Sequence, residues 1–228
     1  MKISIWYAVP VLFLAAAAVF SQTPAAAGAL NALQNYNAGR NLEAQGLMSE
    51  ANVHYQEAIR ITQDEISRNA ATANTYTVMT WAMRRQNRHA DVLLWGERGL
   101  ALHASEFSLI ETMGQSLFFM GDHGRSLSYM RRYVNSVPEG GRAPVAYFFK
   151  GEIYRMRQQF HNADIAYTTA VHLQPGLPLW WFRLGSVREA VGDFPHAIEA
   201  YERAIGLNPN HLEANAGLIR SRNLMQAD

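Results

Sequence analysis

Histidine is the residue of this chain best suited to binding a metal ion, and the sequence contains eight. None belongs to an HExxH motif and no two lie four residues apart, although a zinc site needs ligands that are set close together. Half of them fall in short turns at similar intervals along the chain: His89, His123, His161 and His196. We therefore interpret these histidines as solvated turn residues rather than as metal ligands.

The other candidates for catalysis also lack the spacing that a reaction requires. Ser116 and Ser186 lie near glycines but outside any GxSxG motif, and the segment 121–124 (GDHG) lacks the Lys and Ser/Thr of a phosphate-binding loop. Carboxylate pairs such as Glu189 with Asp193 are interpreted as exposed helix faces rather than as an acid–base pair. We predict no catalytic residue, no metal site and no cofactor, and hence a protein that is not an enzyme.

Composition narrows the class of protein further. The 228 residues include 49% hydrophobic side chains, which is typical of a folded chain. The formal net charge is +1 and no run of Lys or Arg is longer than two, so the sequence does not indicate a nucleic-acid partner. With no cysteine in the chain, disulfides and thiolate chemistry are excluded.

The first 29 residues are organised like a targeting segment. Lys2 precedes an apolar run over residues 3–20, and small residues follow up to Ala29. This order is that of a secretory signal peptide, although the run is also about as long as the shortest membrane-spanning helices, ~17 residues. We expect either a cleaved signal peptide or a retained N-terminal membrane anchor. Both alternatives place the folded part in the periplasm or in another location outside the cytoplasm.

A helical pattern recurs about every 34 residues over the remainder of the chain. In its clearest copy, Trp181, Leu184 and Gly185 share one helix face, and Gly192 interrupts the helix. A second helix follows, marked by Ala197, Tyr201 and Ala204 and ended by Pro209. The predicted repeats are residues 32–65, 73–106, 107–140, 144–177 and 178–211, followed by an amphipathic helix over 212–228. The first repeat lacks the closing Pro, which predicts that its second helix continues through Ile66.

These repeats resemble the tetratricopeptide repeat (TPR) family. The resemblance is close in the last two repeats and looser in the first two, and Arg188 departs from the aromatic residue usual at its position. It implies an all-α superhelical solenoid of antiparallel helix pairs, with about five repeats and a C-terminal capping helix over 212–228. Small residues at Gly151 and Gly185 are expected to let the two helices of a pair approach closely.

The same resemblance implies a peptide-binding groove lined by the first helix of each repeat. We expect the outward side chains of these helices to face solvent and to contact the partner. They are Tyr36, Arg40, Asn74, Trp81, Arg84, Glu111, Gln115, Phe118, Phe148, Glu152, Arg155, Leu179, Phe182 and Glu189. Aromatic and Arg side chains dominate interface hot spots. The alternative is that some of these aromatic rings pack against the neighbouring first helices.

Some TPR domains bind acidic chaperone tails through a Lys/Asn carboxylate clamp. This chain lacks that clamp, because the matching positions hold Thr77, Trp81, Glu111, Gln115, Phe148 and Glu152. A groove of mixed aromatic and charged residues suits proteins or peptides with apolar anchors. In the last repeat, the pattern leaves five side chains free for such contacts: Leu179, Trp180, Phe182, Ser186 and Glu189.

The sequence therefore predicts an exported, non-catalytic TPR adaptor or scaffold that mediates protein–protein interaction or assembly in the cell envelope. One alternative is an accessory protein that binds or transports a small hydrophobic ligand. Another is a structural subunit of an envelope complex, associated with the membrane through residues 3–20. The sequence alone does not identify the partner.

Overall fold

The computed structural model describes residues 30–227, and every regular element in that range is an α-helix. The all-α fold class predicted from the sequence is thus confirmed. The segment predicted as a signal peptide or anchor, residues 1–29, lies outside the described part. Among the described residues, no helix combines the length and the apolar character needed to cross a membrane.

The chain divides into two compact units, of which the first extends to Arg88. Its described helices are α1 (Ala32–Ala44), α2 (Met48–Ser67) and α3 (Ala73–Arg85). Helix α1 begins with a capping box, in which the Asn31 side chain accepts from the backbone N–H of Gln34 and the Gln34 side chain accepts from that of Asn31. Helix α2 has 20 residues and ends at Ser67, which confirms the prediction that it continues through Ile66.

The second unit begins at His89 and contains the other eight helices described. They are α4 (His89–Leu102), α5 (Phe107–Phe119), α6 (His123–Ser136), α7 (Ala143–Met156), α8 (Phe160–Leu173), α9 (Pro178–Ala190), α10 (Phe194–Leu207) and α11 (Leu212–Ala227). Three predicted repeats each correspond to one helix pair of this unit, namely α5–α6, α7–α8 and α9–α10. The boundary between the units falls inside the predicted repeat 73–106, between α3 and α4.

The turns inside the helix pairs depend on residues that accept a left-handed backbone. Gly121 and Gly192 have φ values of 82° and 80°, and each follows the first helix of its pair. Glycine adopts this conformation without the steric cost that a Cβ atom imposes. The interruption predicted at Gly192 is therefore confirmed. Between α7 and α8 the same role falls to Gln158, with φ 57°.

Glycine on the first helix also brings the two helices of a pair into close contact. The ring of Tyr167 on α8 lies over Gly151 on α7, and the ring of Tyr201 on α10 lies over Gly185 on α9. Both rings are fully buried. This is the close approach that the small residues of the sequence predicted.

Helix α11 covers the outer side of the last helix pair. Its Ala214 belongs to a buried cluster with Ala197, Tyr201 and Ala204, and its Gly217 lies directly against the Tyr201 ring. The helix therefore occupies the place of the predicted cap. Its contribution to stability remains a prediction.

Candidate functional site

In the first unit, the predicted contact residues of α1 and α3 form an aromatic cluster. The ring of Tyr36 lies 5.4 Å from that of Trp81, and the guanidinium of Arg40 lies 5.9 Å from the centroid of the Tyr36 ring. Tyr36 is buried, which corrects the expectation that it faces solvent. Trp81, Arg84 and Arg40 are half-buried, whereas Asn74 is exposed.

In the second unit, the central aromatic side chain is buried by the next repeat. Phe148 on α7 stacks on Trp180 of α9, with ring centroids 4.9 Å apart and planes 12° from parallel. Phe148 keeps only 9% of its surface exposed and Trp180 only 2%, so neither faces solvent as expected. The alternative reading, in which groove aromatics pack against neighbouring first helices, describes this pair. Phe118 is half-buried and packs edge-on against Phe149, 4.9 Å away.

The acidic residues expected in the groove are paired with arginines of this chain. Glu111 is completely buried, accepts a hydrogen bond from Gln115, which is itself buried, and forms an ion pair with Arg142. Arg142 belongs to the three residues inserted between the third and fourth predicted repeats, and it is the N-cap residue of α7. The insertion thus supplies the positive charge without which the buried Glu111 would be unstable.

Glu152 is also paired with arginines of this chain. Buried Glu152 accepts from the Tyr167 hydroxyl and pairs with Arg155 at 3.1 Å and Arg183 at 3.2 Å. Burial, followed by the charge of Glu152, raises the pKa of Tyr167 well above its usual value, so its hydroxyl stays protonated and donates. These carboxylates stabilise contacts between helices, and the expectation that Glu111, Gln115 and Glu152 face solvent is wrong.

Glu189 links the last repeat to α11. It accepts from the Tyr201 hydroxyl at 2.5 Å and from Arg220 at 2.8 Å. Partial burial opposes ionisation, but the hydrogen bonds from Arg220 and Tyr201 outweigh it and hold the pKa of Glu189 below its usual value. Glu189 is therefore a charged, structurally engaged residue at physiological pH.

The most accessible part of the predicted contact surface of the second unit lies on α9. Leu179, Phe182 and Ser186 recur at helical spacing, and each is half-buried. We call these three residues the α9 face. Phe182 is the counterpart of Phe148, 34 residues later, but the counterpart of Trp180 is Ala214. Because Ala214 has no ring to stack on Phe182, that ring keeps an accessible side.

Two neighbours complete the surroundings of Phe182. The ring of His211 lies 5.0 Å from it, and the guanidinium of Arg183 lies 5.4 Å from its centroid. Arg183 is paired with Glu152 and His211 with Glu213, so the half-buried Phe182 ring offers a partner chiefly an apolar contact. No group of three or more metal-ligating side chains occurs among residues 30–227.

Sequence reasoning missed the arginines that fix the acidic side chains: Arg142, Arg183 and Arg220. The signal available for Arg142 was the inserted segment, since an irregularity in the repeat marks a position with a particular function. Arg183 and Arg220 carry no such signal, because Arg183 pairs with Glu152 of the preceding repeat and Arg220 lies on the last helix, outside the repeat pattern.

Comparison with known proteins agrees with this description. The family model "Tetratricopeptide repeat" matches residues 178–211, which are the residues predicted as the last repeat. No curated protein is similar enough to count as a relative.

Among solved structures, the MamA protein has 18% identity and a TM-score of 0.60, over 68% of this chain and 82% of that one. MamA from Desulfovibrio magneticus RS-1, from residue 41 to its end, has 18% identity and a TM-score of 0.55, over 79% of this chain and 96% of that one. YrrB, a TPR protein with an unusual peptide-binding site, has 17% identity and a TM-score of 0.54, over 82% and 91%. The chain thus has the all-α fold of tetratricopeptide repeat proteins, and residues 178–211 match one such repeat.

Proposed function

We propose that this protein is a non-catalytic scaffold that binds another protein or peptide through the α9 face. The observation that carries this proposal is the accessible Phe182, which lies between Leu179 and Ser186 on one side of α9. An aromatic ring held by neighbouring side chains loses little conformational entropy on binding, which is why such rings dominate interface energies. YrrB, which has a similar fold, contains a peptide-binding site.

The pairing of Phe148 with Trp180 also supports a rigid binding surface. The stacked rings fix α9 against α7, so Leu179 and Phe182 are presented from a well-packed helix rather than from a loop. The ion pairs of Glu152 and Glu189 hold the same helix from its two sides. A partner would therefore meet a surface that needs little rearrangement.

We further propose that the scaffold acts in the cell envelope. Support for this location comes from the sequence, in which Lys2, the apolar run 3–20 and the following small residues have the order of a signal peptide or anchor. Export would place the α9 face among envelope proteins, where a protein-binding surface could organise an assembly.

A capture experiment with matched variants tests the binding surface. The full chain and its Phe182→Ala variant are immobilised, exposed to an envelope extract, and the bound proteins are quantified by mass spectrometry. Ile165→Ala serves as the control. Ile165 is 65% exposed, but it lies outside the α9 face, on α8, the second helix of its pair. Removal of a hot-spot ring costs ~2 kcal/mol, so we expect captured partner to fall about 30-fold for Phe182→Ala only. Equal capture by both variants would place the interface elsewhere.

A further inference from the structure

An unusual lysine lies on α7, in the fourth predicted repeat. Lys150 is the seventh residue of repeat 144–177, and its counterparts in the adjacent repeats are Met113 and Leu184. Both counterparts are buried apolar side chains, 0% and 1% exposed. Lys150 is one of only two lysines in the sequence, the other being Lys2. Lys150 thus places a charge at a position that is apolar and buried in the two adjacent repeats.

A second cation and two tyrosines surround this lysine. Helix α6 packs against α7, and its Arg131 donates a hydrogen bond to the Tyr154 hydroxyl at 3.0 Å. The Lys150 ammonium lies 4.8 Å from the centroid of the Tyr147 ring. We call Arg131, Tyr147, Lys150 and Tyr154 the cationic junction.

The cationic junction has positive charge and no negative charge of its own. Within the described residues, no carboxylate forms an ion pair with Arg131 or Lys150. Burial, and next the neighbouring positive charge of Arg131, lower the pKa of Lys150. By contrast, Arg142, Arg155, Arg183 and Arg188 each pair with a carboxylate. Arg131 and Lys150 therefore contact tyrosines of α7 and have no carboxylate partner among the described residues.

We propose that the cationic junction binds an oxyanion of the phosphate class. A phosphate group carries between one and two negative charges near neutral pH, which matches the two cations. Its oxygens can accept from the guanidinium of Arg131, the ammonium of Lys150 and a tyrosine hydroxyl together. Bound between α6 and α7, it would remove the repulsion between Arg131 and Lys150 and join two repeats. This site lies apart from the α9 face and does not depend on the proposed function.

Thermal unfolding of the full chain with inorganic phosphate tests the site. The comparison is made against sodium chloride at equal ionic strength, and glycerol 3-phosphate is used in parallel to distinguish free phosphate from a phosphate ester. For a site with a Kd of about 1 mM, 10 mM ligand should raise the Tm by about 3–6 °C. Phosphate also stabilises proteins in general by exclusion from their surface, and that part of the shift is common to all variants.

Three variants separate binding from the general effect. Lys150→Met introduces an apolar residue like those at the equivalent positions. Arg131→Gln changes an exposed side chain, so the fold should tolerate this substitution. Arg157→Gln removes the same charge from the exposed end of α7 and is the matched control. We expect the phosphate-dependent shift to persist in Arg157→Gln and to be lost in Lys150→Met and Arg131→Gln. If Lys150→Met does not fold, Arg131→Gln alone provides the comparison.

A second measurement follows the lysine itself. Amine-reactive acetylation of Lys150, quantified by mass spectrometry of the digested protein, should slow at least threefold when phosphate is present and should not respond to chloride. Equal Tm shifts in all four proteins, or acetylation that phosphate leaves unchanged, would overturn the proposal.

Discussion

The contact between Gly151 and Tyr167 gives the sharpest prediction about stability. A Cβ atom on Gly151 would lie 2.5 Å from Cε1 and 2.6 Å from Cδ1 of the Tyr167 ring. The ring is fully buried and its hydroxyl donates to Glu152. The ring therefore cannot move aside without breaking that hydrogen bond, and Gly151→Ala should destabilise the protein.

The magnitude follows from two opposing effects. Replacing a mid-helix glycine with alanine stabilises the helix by about 0.5–1 kcal/mol. Overpacking of a core costs about 1–3 kcal/mol. Gly206→Ala is the matched control, because Gly206 also lies in a helix, α10, and a Cβ atom there would have no neighbour within 4 Å. Gly206 is the penultimate residue of α10 and gains at most this helix effect, so the difference between the variants is a lower bound on the packing cost, which is about 1–3 kcal/mol.

Thermal unfolding followed by far-UV circular dichroism measures this difference. For a chain of this size, 1 kcal/mol corresponds to about 2–4 °C, so Gly151→Ala should unfold roughly 2–12 °C below Gly206→Ala. If both variants unfold at the same temperature, the close approach of α7 and α8 at Gly151 does not exist as described.

Three further predictions concern the ion pair at the last helix, the cap and the N-terminus. Ionised Glu189 should stabilise the fold at pH values above 4.5, its ordinary pKa. This contribution should be lost as the pH falls through the lower pKa that Glu189 has in the folded state. The free energy of unfolding should therefore fall less steeply with decreasing pH for Glu189→Gln than for the exposed control Glu199→Gln. Identical pH dependence in the two variants would contradict this role of Glu189. Deletion of residues 212–228 should lower the Tm and promote aggregation by uncovering the Tyr201 ring, and unchanged melting would refute the cap. Mass spectrometry of the mature protein should show loss of the N-terminal segment if it is a signal peptide, whereas an intact Met1 in membranes would show an anchor.

The sequence predicted the helix pairs well because their packing is local. The contacts of Gly185 with Tyr201 and the turn at Gly192 lie within one repeat, so helical spacing and glycine placement are sufficient to predict them. The length of α2 followed in the same way from the absence of a closing proline. These features need no knowledge of neighbouring repeats.

Exposure of the first-helix side chains could not be predicted from the same pattern. Phe148 and Phe182 occupy equivalent positions, yet Trp180 stacks on the first and buries it, whereas Ala214 stands at the counterpart of Trp180 and Phe182 stays half-buried beside His211. What decides exposure is the size of one side chain in the next repeat, and a repeat pattern treats that position as variable. The ion pair of Glu111 with Arg142 depends likewise on an insertion that the pattern does not include.

The proposed function is tested most directly by comparing Phe182, on the first helix of its pair, with Ile165, on the second helix of its pair. A photocrosslinking amino acid is placed at position 182, or at position 165 as the control, and the full chain is irradiated in intact cells. We predict that position 182 forms adducts with a defined envelope protein and that position 165 does not. Adducts that form equally at both positions, or only at position 165, would contradict the proposal that the α9 face binds the partner.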